Sequence, residues 1–205
     1  GIIRGGFSSI CLPMEIPHDG SHEGVFDMNP KECNYMNFHL LQRSVHAYNG
    51  KTFAELIHGG RCLTRKDLPL IGASDSEYQG RHVKGMDAAD MQYIIDLCTD
   101  FASKARRSGF DGIMVHMAHG WLFHDFLSPL SNQRTDEFGG SVENRCRFPL
   151  MVLKAIREVI GDDLLIELRL TGNDEMEGGI TPEDAAQQVL LLQDYVDMIH
   201  ITCGT

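Results

Sequence analysis

Short apolar runs that alternate with stretches of helical periodicity constrain this chain more than any other feature. The runs are Phe7 to Leu12, Thr52 to His58, Gly112 to His116, Leu164 to Leu170 and Met198 to Thr202. Repetition of β then α implies a parallel sheet. The helices between them are legible from caps and faces. Asn29-Pro30 followed by Glu32 supplies a capping oxygen, a first-turn proline and an acidic third residue, which predicts a helix running to about Ala47 and ending at Asn49-Gly50. A second helix is predicted from Asp87 to Gly109, with Met91, Ile94, Ile95, Cys98, Phe101, Ala102 and Ala105 along one face. A third is predicted from Ser141 to Gly161 on Phe148, Met151, Val152, Ala155 and Val159, and a fourth opens at Thr181-Pro182 with Ala185, Val189 and Leu192 inward. Two long connections, Gly59 to Gly85 and Met117 to Gly140, have the length that is usually functional in a compact domain.

A parallel sheet leaves two architectures, a closed β/α barrel or an open doubly wound sheet. No GxGxxG follows the first strand, which weakens the dinucleotide-binding form of the open sheet. His58, His116 and Arg169 fall at or near the C-terminal ends of strands, where β/α barrels carry their sites. Five strands cannot close an eight-stranded barrel, and the opening GIIRGGFSSIC reads as the end of a helix running into a strand. The expectation is therefore an α/β fold, a partial TIM (β/α)8 barrel with about strands 2 to 6 of the eight, forming one partial domain over 1–205 of a longer protein.

The net charge of −11, from 18 basic and 29 acidic residues dispersed along the chain, gives no footprint for nucleic acid or an anionic membrane surface. No apolar run approaches the roughly 20 residues that span a bilayer, and no secretory signal opens the chain, so a cytoplasmic location is expected, with oligomerisation left open. Six scattered cysteines without a CxxC suggest neither a zinc ribbon nor a disulfide framework.

Strand alternation puts Leu165, Glu167 and Arg169 on one face of their strand. A buried guanidinium is costly unless paired, so Arg169 needs either an internal partner, Glu167 or Glu55, or an anionic ligand; spacing weighs the two about evenly. Glu55 lies mid-strand and must be paired or protonated if both faces of the sheet are covered. His58 reads first as a satisfied structural histidine. His116 and His119 leave a strand together, with His124 as a third imidazole; a metal site would need a further ligand set that the sequence does not offer, and the pair suits hydrogen bonding to a substrate oxygen or ring cofactor better. Asp136, Asp174 and Glu177 read as solvated loop charges. There is no GxSxG elbow and no Walker loop.

The run HMAHGWLFHDFLSPLSNQRTDEFGGSVENRCRFPLMVLKAIREVIG, flanked by AELIHGGR, IELRL and MIHITCG in order, resembles the old yellow enzyme family, the NADH:flavin oxidoreductases. Glu55 in AELIHGGR and the ITCG ending are more similar to the trimethylamine dehydrogenase and 2,4-dienoyl-CoA reductase branch. The resemblance implies FMN at the C-terminal mouth of a β/α barrel, reduced by NAD(P)H and passing hydride to an electron-poor alkene or related small molecule. It implies that Arg169 lies beside the N1 and O2 edge of the flavin, that Glu55 meets its pyrimidine ring, and that His116 and His119 bind the oxygen of a stacked ligand. Trp121 stands where the family has a tyrosine thought to protonate the substrate, and an indole N–H cannot act as that acid. That branch also carries a 4Fe-4S cluster on clustered cysteines, a run these six cysteines do not match. Two competing expectations are a catalytically incompetent barrel fragment and a metal-dependent barrel hydrolase using His58, His116 and His119.

Overall fold

The computed structural model describes residues 2–16, 35–63 and 66–204. The expected helix start at Asn29 lies outside them; α1 is described over Tyr35–His46. Strands β1 (Ser9–Glu15), β2 (Lys51–Ile57), β6 (Gly112–Met117), β7 (Leu165–Thr171) and β8 (Met198–Thr202) form one wholly parallel sheet in that order. The order never reverses. A doubly wound sheet needs a reversal to create its crevice, whereas strands laid down in chain order build the wall of a barrel, so topology decides between the two architectures.

The long helices form where their caps and faces dictate. In α2 (Ala88–Arg107), Asp87 accepts the Asp90 N–H while Asp90 accepts the Asp87 N–H, a reciprocal capping box, and all seven expected face residues are buried. Ser141 caps α4 (Val142–Ile160) and Thr181 caps α5 (Pro182–Leu192), each through its hydroxyl. Met151 is the exception on α4, being 40% exposed instead of inward. The buried face of these helices packs with Ala54, Leu56, Ile113, Val115, Ile166 and Leu168 in one core.

The two expected loops contain structure of their own. The first folds into a three-stranded sheet of β3 (Leu70–Gly72), β4 (Ser76–Tyr78) and β5 (Arg81–Gly85), in the order β3-β5-β4, over a small core of Leu63, Leu68, Leu70 and Val83. The second carries α3 (Leu122–Leu127), in which every residue is buried. The signature run holds these loops by capturing backbone. Asn132 Nδ2 donates to Phe126 O at 2.7 Å and Phe138 O at 2.8 Å. Arg134 Nη1 donates to Ala73 O and Met86 O, and Arg145 Nε to Leu127 O.

Register converts the sheet into layers. Pro13, Glu55, Met114, Glu167 and Met198 pair in one row, and His116, Arg169 and His200 in a row nearer the C-terminal ends. Because side chains alternate along a strand, these rows share the face opposite the helix-packed core, the inside of the barrel wall. Nearer the N-terminal ends, Cys11 pairs Phe53, Phe53 pairs Gly112 and Gly112 pairs Leu165. The Phe53 ring fills the space a side chain at 112 would need: a Cβ on Gly112 would fall 2.3 Å from Phe53 Cε1.

Gly112→Ala is expected to destabilise the fold by about 1–3 kcal/mol through overpacking. Combining it with Phe53→Leu should cost less than the sum of the two single changes in denaturant unfolding; strict additivity would mean that the ring and residue 112 do not compete for that space.

Candidate active site

Four ionisable side chains meet at the C-terminal half of the inner face. His116, one row above Glu55 and one strand over, brings its Nδ1 to 2.8 Å from Glu55 Oε1. Arg169 reaches the same oxygen with Nη1 at 3.6 Å. His116 Nε2 lies 3.1 Å from His119 Nδ1, and His119 Nε2 lies 3.0 Å from Thr202 Oγ1. A carboxylate oxygen only accepts, so the His116 Nδ1–H donates to Glu55, and one consistent chain then runs through His119 to the Thr202 hydroxyl. Of the internal partners open to Arg169, the structure selects Glu55, while Glu167 pairs with His200 at 3.1 Å.

The loop after β6 aims His119 inward by an uncommon backbone. His119 and Gly120 both have positive φ, 58° and 75°, a conformation that histidine tolerates better than bulky residues do. Trp121 is the N-cap residue of α3, and its ring stands edge-on to His116 at 6.1 Å between centroids. A cleft of about 360 Å³ opens beside His119 and Gly120, bounded by Cys62, Tyr78, Leu130 and Met176.

Burial lowers the proton affinity of His119, and the neighbouring His116, Arg169 and His124 lower it further. Burial likewise pushes the Cys11 thiol, on the inner face of β1, up to about 12, with Glu55 and Glu167 adding to the effect. The Nε of Arg169 is buried with no hydrogen-bond partner, so this guanidinium keeps an unmet donor inside the barrel wall.

The sequence-expected residues Glu55, His116, His119, Trp121 and Arg169 therefore lie together. His58 does not join them; its Nδ1 accepts the Gly60 N–H at 3.1 Å, in keeping with the structural reading. His124 is wholly buried against Asp174 at 2.8 Å. Asp174 corrects the expectation of a solvated loop charge: it is 2% exposed, because His124, Ser128 and the Ile180 N–H converge on it. Among the described residues no group of three or more His, Cys, Asp or Glu is placed to hold a metal ion, and the cysteines described are free. No helix among them is long and apolar enough to cross a membrane. Sequence reasoning missed His200, Thr171 and Thr202. Period-2 alternation from Arg169 would have found Thr171, but the other two needed the register of β8.

A β/α barrel wall with its paired charges gathered at the C-terminal mouth carries them at the end where barrels of this kind hold their sites. The chain belongs to the NADH:flavin oxidoreductase / NADH oxidase family, whose model matches residues 22–203. It is 32% identical over 209 residues to an NADH oxidase of Thermoanaerobacter brockii, covering 98% of this chain and 32% of that protein. It is 36% identical over 168 residues to an NADPH dehydrogenase of Clostridium acetobutylicum, covering 80% of this chain and 50% of the relative. The chain thus spans a third to a half of the length of these relatives. The fold matches that of histamine dehydrogenase from Rhizobium sp. 4-9 with a TM-score of 0.87, over 99% of this chain and 31% of that one, at 24% identity.

The lowered proton affinity of His119 fixes the sign of a pH effect. With a folded pKa below the ordinary value of about 6.5, the contribution of His119 to stability is complete above that pH and is lost as pH falls through the folded value. In a histidine NMR titration His119 should titrate below 6.5, and Arg169→Gln should move it upward. Titration at or above 6.5 in the unaltered protein would contradict this electrostatic picture.

Proposed function

We propose that residues 1–205 form one partial FMN-binding barrel domain of a cytoplasmic flavin-dependent oxidoreductase that takes hydride from NAD(P)H. The acceptor we propose is an electron-poor alkene or a related small molecule. The observation that carries this reading is the buried, unpartnered Nε of Arg169 on the inner wall, beside a Glu55 that already engages His116. A guanidinium in that position suits the polar edge of a ring cofactor, which supplies acceptors and tolerates negative charge. The residues present therefore fit FMN, and the family to which the chain belongs is a flavin family.

When bound, FMN supplies hydride transfer between the nicotinamide and the substrate. The protein supplies position and charge. Arg169 holds a positive charge at the inner mouth. Glu55 fixes the His116 ring through Nδ1, and His116 in turn meets His119, which borders the cleft; the pair would offer a polar edge to a substrate oxygen. Trp121 stands edge-on to His116 at one side of this pair, but its indole N–H is no proton donor at neutral pH. A proton required at a substrate carbon must come from another group or from water. Oxidation of an amine is the second reading that Trp121 favours, since it asks for no such donor; the fold likeness to a histamine dehydrogenase is compatible with it.

Arg169→Ala in the complete flavoprotein is expected to reduce flavin retention or lower the flavin reduction potential. Unchanged flavin content together with an unchanged potential would remove Arg169 from the cofactor site. The double change His116→Ala with His119→Ala is expected to abolish the long-wavelength charge-transfer band with phenol while flavin stays bound; a band retained at full affinity would mean the imidazoles serve no ligand.

A further inference from the structure

Next to the proposed ligand pair lies a buried dyad to which no role has been given. The Gly120 N–H donates to His124 Nδ1 at 3.1 Å, and His124 Nε2 lies 2.8 Å from Asp174 Oδ1. A backbone N–H can only donate, so Nδ1 is the acceptor and the ring proton sits on Nε2, which donates to Asp174. Both side chains are fully buried. The other Asp174 oxygen accepts from Ser128 Oγ at 2.7 Å and from the Ile180 N–H at 2.8 Å. Burial opposes the charge on Asp174, but these donors outweigh it and hold its carboxyl below the ordinary carboxylate value. Gly179 makes room for the arrangement, since a Cβ there would fall 2.6 Å from Asp174 Cβ.

We propose that His124 and Asp174 are positioning residues for His119. Gly120 follows His119 directly, and both adopt left-handed backbone that stores strain in a non-glycine residue. The Trp121 N–H closes the turn on Ala118 O at 3.3 Å and Cys62 Sγ donates to Gly120 O, while His124, four residues on at the third position of α3, captures the Gly120 N–H and ties the turn to the helix, reaching back past an N-cap tryptophan that makes no side-chain cap. The direct tie of His119 itself is long, its N–H lying 3.4 Å from Thr171 Oγ1. Asp174 fixes the tautomer that leaves Nδ1 free to accept, and it anchors the dyad to the loop between β7 and α5 through Ile180. The two loops that flank the cleft are thus locked to each other, and the His119 ring is delivered to its contacts with His116 and Thr202. The functional part of the inference rests on His119 facing a ligand as proposed above; the tautomer and the hydrogen bond do not.

A long-range 1H–15N spectrum of the chain at neutral pH should show His124 with its proton on Nε2 and a bare Nδ1. A proton on Nδ1 would overturn the assignment without any mutation. Two variants then separate positioning from packing, because asparagine offers an acceptor at the Nδ1 position whereas glutamine places its amide at the Nε2 position. Gly120 amide exchange should stay near the parent rate in His124→Asn and rise roughly tenfold or more in His124→Gln, the size expected for loss of a buried hydrogen bond. In the flavin-loaded parent protein, phenol affinity should follow the same order. Equal losses in both variants would overturn the proposal. If His119→Ala leaves phenol affinity unchanged, the ligand role of His119 fails, while Gly120 exchange still decides whether the dyad holds the turn.

Discussion

The site depends on one carboxylate placed where a solvated charge cannot exist. Glu55 sits in the middle of a parallel strand with its side chain on the inner wall, and it is satisfied by two partners that come from other strands. Removing one partner from a buried pair typically costs about 3–5 kcal/mol, because the remaining charge stays behind in a poor solvent. Glu55 therefore joins His116 and Arg169 in one cluster, in which it keeps its second partner when the first is removed. A barrel wall suits such a unit because register fixes the heights of the side chains, so that charges from adjacent strands meet without long reaches.

The second constraint is that the mouth must be rigid while its walls are loops. Asn132, Arg134 and Arg145 spend their donors on backbone carbonyls, and Asp125 accepts the Ala73 N–H at 2.7 Å to tie α3 to β3. Asp125 is raised in proton affinity by burial, with Arg61 beside it acting the other way at 3.0 Å. The residues that make the sequence run distinctive are thus largely clasps, and the imidazole pair proposed to meet a ligand, His116 and His119, lies at its front edge beside Trp121.

Much of this was legible from residue pattern. The faces of α2 and α5 follow from helical spacing, and the inward placement of Glu55 and Arg169 follows from the cost of burying charge. Met151 shows the limit of spacing alone: it lies at the border of the α4 stripe, and half a turn decides whether it meets the core. The sheet of β3, β4 and β5 escaped because its strands are too short to display alternation, and α3 escaped because all six of its residues, His124 and Asp125 included, are buried and leave it no solvated face. Asp174 was misread because its loop looks hydrophilic, and only the arrival of His124 and Ser128 from a distant part of the chain makes it a buried acceptor. Pairing of Arg169 with Glu55 instead of Glu167 is a property of strand register, which no single strand contains.

The claim that joins these features is that the charged inner mouth is a flavin site. The most direct test is the visible spectrum of the complete parent protein, purified anaerobically and titrated with NADH or NADPH. A yellow protein that bleaches on addition of the reduced nicotinamide is the predicted result. A colourless protein that fails to take up added FMN would contradict the account and leave the charge cluster as internal structure alone.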